Sequence, residues 1–154
     1  MPPIKTAEYV DIDRFMGNWY VIANIPTFLE KDVYNATERY ERKEKDVVAT
    51  TFSFNKGAFD GERKTYNPTG FIFDDPSNAV WGMRFIWPIK ADYRVVYVDD
   101  DYQHTIIGRN KRDYVWIMSR EPIMSDVTYN ALVSIVGDQG YDTNLIRKVP
   151  QQAR

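Results

Sequence analysis

A series of short strand patterns joined by tight turns limits the folds open to this chain more than any other feature. From residue 46 to residue 54 the side chains alternate between two faces, and Val48, Phe52 and Phe54 fall on the same one. This period of two is a strand signal. Comparable patterns continue to Arg120 without an intervening helical pattern. The sequence therefore predicts an antiparallel meander, which either closes into a barrel or folds as a sandwich of two sheets.

One of these strands has an unbroken apolar face. Every second residue from Ala79 to Trp87 is apolar, and Pro88 ends the strand. Turns at 99–101 and 109–112 separate further strand patterns, which lie at 93–97, 103–108 and 114–120.

Only the segment 125–138 carries a convincing helical pattern. Ser125 suits the N-cap position, and Asp126 follows it where the helix dipole favours a negative charge. The predicted apolar stripe consists of three residues spaced four apart and one neighbour: Val127, Ala131, Ile135 and Leu132. Residues 144–149 are expected to add a final short strand.

Two strands, 19–25 and 114–119, are apolar on both faces, whereas most others are apolar on one face only. A closed sheet with one helix on its outside predicts this difference, because only the strands under the helix bury both faces. We therefore expect the helix to pack on the outer wall formed by these two strands.

Composition excludes several classes of site. The chain has 154 residues, which suits one domain with a real core. It has no cysteine, so a disulfide or a thiolate metal site is impossible, and with His104 as its single histidine a zinc site or a Ser-His-Asp triad has no support. A net charge of −2 leaves no electrostatic footprint for nucleic acid. We expect no metal, no cofactor and no nucleic-acid partner.

The first strand opens with a glycine two residues before a tryptophan. Gly17 permits a backbone corner with positive φ, and Trp19 then brings a large apolar side chain into the strand. Taken alone, Trp19 is either an ordinary core residue or a plug for the floor of a hollow sheet.

Three segments, in order, resemble the sequence signatures of the lipocalins. Residues 17–20 resemble the G-x-W signature of the first strand, and residues 98–102 resemble the T-D-x-x-Y signature of the turn between the sixth and seventh strands. Residues 116–120 resemble the third signature, in which an arginine ends the last barrel strand. The similarity covers residues 11–149 and is closest to the bacterial outer-membrane lipoprotein lipocalins and the apolipoprotein D group.

The resemblance implies an all-β fold: a closed eight-stranded antiparallel up-and-down β-barrel, or calyx, with one C-terminal α-helix packed outside. The chain would form a single domain, 1–154, whose parts are an N-terminal extension at 1–10, the barrel at 17–120, the helix at 125–138 and a final short strand at 144–149. The implied structural motif residues are Gly17, Trp19, Asp99, Tyr102 and Arg120.

In lipocalins the arginine of the third signature lies across the indole of the first at the closed end of the barrel. Here this implies a cation–π contact between Arg120 and Trp19, with the guanidinium also donating to carbonyls at the strand ends. Val98 stands where the family usually has threonine, so a hydroxyl hydrogen bond is not expected at that turn.

A barrel of about eight strands has room for one small ligand. The more apolar face of each strand should line it: Phe52, Phe54, Trp81, Met83, Phe85, Tyr93, Tyr97, Tyr114, Trp116 and Met118. This lining suits a fatty acid, a lysophospholipid or a similar lipid. The resemblance favours binding, storage or transport of such a ligand, and the alternative is that the aromatic side chains only fill the lumen.

Two other functions stay open, a lipocalin-fold enzyme acting on a hydrophobic substrate and an interaction module with a vestigial cavity. We expect no catalytic residue, because no nucleophile has a base and an orienting group, and the acidic turn 99–101 lacks the other ligands of an EF-hand loop. His104 is expected near a hairpin end.

The chain is expected to be a monomer or a weak homodimer. Membrane association is expected only through an N-terminal segment absent from this chain. The expected location is the periplasm or outer membrane if a signal segment has been removed, and the cytoplasm otherwise.

Overall fold

The computed structural model describes residues 1–27 and 32–152. Within these two ranges, two α-helices and ten strands follow one another in the order α1 Ile12–Phe15, β1 Gly17–Ile25, β2 Val33–Glu44, β3 Val47–Lys56, β4 Arg63–Tyr66, β5 Thr69–Ile72, β6 Val80–Ile86, β7 Ile89–Val98, β8 His104–Gly108, β9 Val115–Ser119, α2 Asp126–Asp138 and β10 Arg147–Lys148. A short 3₁₀ turn, Thr143–Leu145, lies between α2 and β10.

The strands form a closed antiparallel barrel. From β1 to β9 neighbours in the wall are consecutive in the chain, except that β3 pairs with both β4 and β5, and β9 returns to pair with β1, from Tyr20 opposite Ser119 to Ile25 opposite Val115. Strands β4 and β5 both pair with β3 and occupy one position in the wall, while β10 adds to the outside of β1. The predicted eight-stranded barrel is thus confirmed, and the sandwich is excluded.

The wall is interrupted between β4 and β5. Asn67 and Pro68 separate the two strands, and Pro68 has no N–H to donate to a neighbouring strand. β6 pairs with β5, from Thr69 opposite Arg84 to Ile72 opposite Trp81. Within the described part of the sheet β4 pairs with β3 only, so its other edge is free.

The strand directions define two ends of the barrel. β1 starts at Gly17 and β9 finishes at Ser119 at the end that carries Arg120, which we call the closed end. The β6–β7 hairpin and the turn after β8 lie at the opposite, open end. An inner core cluster fills the closed half of the lumen and includes Phe15, Trp19, Tyr40 and Trp81, all essentially inaccessible to solvent.

A second cluster joins α2 to the outside of the barrel. Leu132 and Val136 of the helix are buried with Ala23 of β1 and with Val115 and Ile117 of β9. The predicted position of the helix is therefore confirmed. The cluster also extends to neighbouring strands and to the chain ends, through Ile4, Val96, Ile106 and Tyr141.

The predicted stripe of the helix is wrong in part. Val127 is 81% exposed and Ala131 is also exposed, whereas Leu132 is 3% exposed. The face turned to the barrel has the mixed spacing of three and four that a full helical face requires, and it consists of Tyr129, Leu132, Val133 and Val136, with Ile135 at its border. The predicted stripe used a strict spacing of four residues, which reaches this face only at Ile135, on its border.

The chain before β1 contains a short helix and a segment that packs on the barrel. The residues from Asp11 to Phe15, which alternate in polarity, form the one-turn helix α1, with the Asp11 side chain accepting from the Arg14 N–H. Residues 1–10 pack on the barrel, because Ile4 is buried in the outer cluster and the Val10 N–H donates to the Ser77 carbonyl at 2.7 Å. No helix within the described ranges is long and apolar enough to cross a membrane.

Candidate functional site: a closed floor and an open cavity

Arg120 and Trp19 form the floor of the barrel. The guanidinium carbon of Arg120 lies 3.7 Å from the centroid of the Trp19 ring system, as the cation–π prediction requires. The Trp19 indole N–H donates to the Phe15 carbonyl at 2.9 Å, which fixes the orientation of the indole ring beneath the guanidinium. Gly17 has a φ of +98°, and a Cβ placed there would lie 3.4 Å from Nη1 of Arg120. Glycine thus supplies both the corner and the room for the guanidinium.

The guanidinium of Arg120 also ties together three parts of the closed end. Its nitrogens donate to carbonyls of α1, of β1 and of the turn before β8: Arg14 at 2.9 Å, Phe15 at 3.3 Å, Asn18 at 2.8 Å and Tyr102 at 3.1 Å. Burial lowers the pKa of Arg120 from its ordinary value. The nearby Tyr40 hydroxyl raises this pKa, but by less than burial lowers it. The arginine therefore acts as a structural tie at the closed end.

The second signature forms a closed turn beside this floor. One carboxylate oxygen of Asp99 accepts from the backbone N–H groups of Gln103 and His104 at 2.8 and 2.9 Å. The other lies 2.6 Å from Nδ1 of His104, which places this histidine at a hairpin end, as expected. Tyr102 has a φ of 55°, and its hydroxyl accepts from the Asp11 N–H at 2.9 Å.

The hydrogen bonds of Asp99 predict a pH-dependent stability. Burial raises its pKa, but bonds from the His104 backbone, the His104 side chain and the Gln103 backbone outweigh burial, so the net pKa lies below its ordinary value of 3.8. A carboxyl group whose pKa is lower in the folded than in the unfolded state stabilises the fold at any pH above its unfolded-state pKa. This contribution is lost as the pH falls through the folded-state pKa. We expect Asp99→Asn to reduce the free energy of unfolding at neutral pH and the difference from wild type to shrink below pH 3.8.

Urea denaturation at a series of pH values measures this difference. Asp100→Asn is a matched control, because Asp100 lies exposed in the same turn, and it should leave the unfolding free energy nearly unchanged. A loss for Asp99→Asn that is the same at acid and neutral pH would show that shape, and not charge, holds the turn.

A cavity of about 430 Å³ lies at the open end. It is lined mainly by aromatic and aliphatic side chains from the open-end halves of the strands, with a few polar groups. The lining residues are Thr27, Phe52, Tyr66, Asn67, Pro68, Phe85, Ile86, Ala91, Asp92, Tyr93, Arg109, Tyr114 and Trp116. Its volume falls in the range of small-molecule sites.

The structure places half of the ten predicted lining residues on this cavity. These five come from strands β3, β6, β7 and β9 and from the residue before β9: Phe52, Phe85, Tyr93, Trp116 and Tyr114. Four others point into the lumen but belong to the packed inner cluster and do not line the cavity: Phe54, Trp81, Met83 and Met118. Trp81 stacks on Tyr93 with ring centroids 5.9 Å apart, so Tyr93 separates the filled half of the lumen from the empty half.

Tyr97 lies on the other side of the wall from its predicted position. The register of β7 against β8 shifts between Val95 and Tyr97, which marks a bulge. Tyr93 and Val95 therefore face the lumen, while Tyr97 packs partly buried against the outer cluster. A bulge inserts one residue and reverses the alternation beyond it, so counting by two from Tyr93 gave the wrong face.

The polar groups of the cavity come mostly from positions that strand periodicity could not indicate. Arg109 follows β8, its Nε lies 2.9 Å from the Asp113 carboxylate, and its guanidinium carbon lies 5.1 Å from the centre of the Tyr114 ring. Asp92 accepts from Arg94 and from the Asn110 N–H, each at 2.8 Å. Both charges at the cavity are thus already compensated within the protein.

A buried pair of tyrosines lies below the cavity. The hydroxyls of Tyr40 and Tyr93 share a hydrogen bond inside the barrel. Burial, followed by the nearby Glu38 carboxylate, raises the pKa of Tyr40 well above its ordinary value, so Tyr40 keeps its proton at physiological pH. In the described part of the chain no group of three His, Cys, Asp or Glu side chains could hold a metal ion.

The sequence has clear relatives. A family model described as a lipocalin-like domain matches residues 10–151. The chain is 32% identical to temperature-induced lipocalin-1 of Arabidopsis thaliana, over 96% of this chain and 83% of that protein. It is 34% identical to the putative lipocalin R877 of Acanthamoeba polyphaga mimivirus, over 94% and 87%. It is 28% identical to the outer membrane lipoprotein Blc of Citrobacter freundii, over 97% and 85%.

Solved structures agree on the fold. Insecticyanin from the tobacco hornworm Manduca sexta superimposes with a TM-score of 0.74 at 16% identity, covering 96% of this chain and 84% of that one. Lobster apocrustacyanin A1 superimposes with a TM-score of 0.72 at 11% identity, covering 98% and 92%. With a matching family model over most of its length, this chain belongs to the lipocalin family.

Proposed function

We propose that this lipocalin binds one long-chain amphiphile, a fatty acid or a lysophospholipid, with its acyl chain in the open-end cavity. The observation that carries the proposal is the contrast between the two halves of the lumen. The closed half is packed with side chains, whereas the open half holds an apolar cavity of about 430 Å³. Family membership supports it, because lipocalins generally bind small hydrophobic ligands.

The geometry supports a chain that enters from the open end. Trp116 and Phe52 line the wall, and the Tyr93 ring closes the bottom through its contacts with Trp81 and Trp116 at 5.9 and 5.7 Å. An acyl chain needs no polar partner along its length, and the lining offers few. The polar end of the ligand would stay at the entrance, near Arg109 and Asn67.

Affinity should rise with acyl chain length and then level off. Each methylene buried against the lining contributes up to about 0.8 kcal/mol, until the terminal methyl reaches Tyr93. We expect micromolar or tighter affinity for long chains, after association costs. Calorimetric titration of delipidated protein with fatty acids of increasing length measures this, and the accompanying change in tryptophan fluorescence should be lost in Trp116→Phe. Trp87→Phe is the matched control, since Trp87 does not line the cavity.

A second variant tests the position of the ligand without relying on fluorescence. Ala91 lines the cavity with a small side chain, so Ala91→Phe should fill part of it and weaken long-chain binding by about tenfold or more. Ala131→Phe introduces the same ring on the exposed face of α2 and should leave binding unchanged. A flat length series, or equal affinities for the two phenylalanine variants, would favour an interaction module over a lipid carrier.

A further inference from the structure

The hairpin between β6 and β7 exposes a continuous apolar surface. We call its five residues, 85–89, the apolar tip: Phe85, Ile86, Trp87, Pro88 and Ile89. The exposed fractions are 53% for Phe85, 73% for Ile86, 76% for Trp87 and 69% for Ile89. Single exposed apolar residues are common on protein surfaces, but a contiguous run of large ones marks a site of interaction.

The apolar tip stands beside the entrance of the cavity. Phe85 and Ile86 line the cavity and are also exposed, so the apolar surface continues from the lumen to the outside. Ile86 pairs with Ile89 across the turn, which holds Trp87 and Pro88 at the end of a two-stranded ribbon. The tip is therefore held by the barrel in a position to meet a surface at the open end.

Positive charge flanks the apolar tip on both strands. Arg84 precedes it and Lys90 follows it, and the two cations lie 4.8 and 4.1 Å from the centre of the Phe71 ring. Neither cation forms an ion pair with a residue in the ranges 1–27 and 32–152. The carboxylate of Asp92, two residues further along β7, is held by Arg94.

We propose that the apolar tip inserts into the interface of a lipid bilayer that contains anionic phospholipids. Tryptophan favours the headgroup level of a bilayer, because its ring has an apolar body and a polar N–H. Lysine and arginine near the membrane surface are attracted to anionic lipids. The order of the chain, cation, apolar tip, cation, matches this layering. It places the entrance of the cavity at the membrane surface.

Charge argues against a second copy of the chain as the occupant. In a two-fold dimer formed through the apolar tip, the same patch meets itself. Arg84 and Lys90 of one copy would then lie close to those of the other, and like charges brought together at an interface are unfavourable. At a surface of anionic phospholipids the two cations of a single chain are attracted instead.

Sedimentation with vesicles tests this proposal, which does not depend on the ligand of the cavity. The protein should bind vesicles of phosphatidylcholine mixed with phosphatidylglycerol more tightly than vesicles of phosphatidylcholine alone, and added salt should weaken the binding. Brominated lipids should quench the fluorescence of Trp87. Trp87→Ser and Ile89→Ser should each weaken vesicle binding by about tenfold or more. Ile123→Ser, which alters a 59% exposed isoleucine between Arg120 and α2, should have no effect.

The outcomes separate the possible occupants. Vesicle binding that is equally strong in Ile89→Ser and wild type would overturn the proposal, as would equal binding to the two kinds of vesicle. Dimers in analytical ultracentrifugation that disappear in Ile89→Ser, without vesicle binding, would assign the apolar tip to a second copy instead. Fatty-acid titration of Ile89→Ser reports on the cavity separately, because Ile89 does not line it.

Discussion

Arg120→Ala is expected to lower the free energy of unfolding by about 3 kcal/mol, because it removes charge-assisted hydrogen bonds and a cation–π contact together. The substitution leaves the carbonyls of Phe15 and Tyr102 without this donor at partly buried positions. It also uncovers the face of Trp19. Urea denaturation followed by far-UV circular dichroism measures the loss.

Arg120→Lys is the matched control for this prediction. A lysine retains the charge, but its single ammonium cannot reach all the carbonyls that the planar guanidinium serves. We expect about half of the loss to remain. Arg120 does not line the cavity, so the order of affinities along a fatty-acid series should not change in either variant. Full stability combined with lost binding would instead make Arg120 a ligand-binding group.

Leu132→Asp is expected to lower the free energy of unfolding by about 4 kcal/mol or more, because it removes a buried leucine and places a carboxylate in an apolar seam. Leu132 is 3% exposed and packs in the outer cluster with Val136 and with side chains of β1 and β9. Thermal and urea denaturation should both show the loss, and α2 should detach before the barrel unfolds.

The same substitution on the other face of α2 provides the control. Val127 is 81% exposed and lies in the first turn of the helix, where the dipole favours a negative charge. Val127→Asp should therefore have little effect on stability. Equal losses for Leu132→Asp and Val127→Asp would mean that the helix packs through the stripe predicted from the sequence, and not through the face found in the structure.

Sequence periodicity predicted the strands and the wall beneath the helix, but not the face of the helix. Alternation by two identified the strands. Strands apolar on both faces identified the wall beneath the helix, because a strand that is buried on both sides has apolar residues at consecutive positions. The choice of helical face failed since Val127, Ala131 and Leu132 are all apolar and composition cannot say which of them meets the barrel. Only packing against β1 and β9 decides this.

The candidate site was predictable to a smaller extent. Phe52, Tyr93 and Trp116 could be assigned to the lumen by parity, but the bulge before Tyr97 reversed the count. Alternation along a strand gives the face of the sheet but not the position along the barrel axis. It therefore did not separate Trp81, which fills the closed half of the lumen, from Trp116, which borders the cavity. Arg109 lies in a turn and carries no periodic signal. Depth and turn residues depend on how the strands are staggered, which a single sequence does not display.

The free edge of β4 gives the barrel a compliant side. Tyr66, at the end of β4, and Phe85, near the end of β6, both line the cavity, yet no ladder of hydrogen bonds joins these two strands. Elsewhere in the wall, widening the lumen would break backbone hydrogen bonds between neighbouring strands. No backbone hydrogen bonds between β4 and β6 oppose their separation, so we expect this slot to widen more easily than the rest of the wall, and a bulky or branched form of the proposed lipid would be accommodated there while Arg120 holds the floor at Trp19.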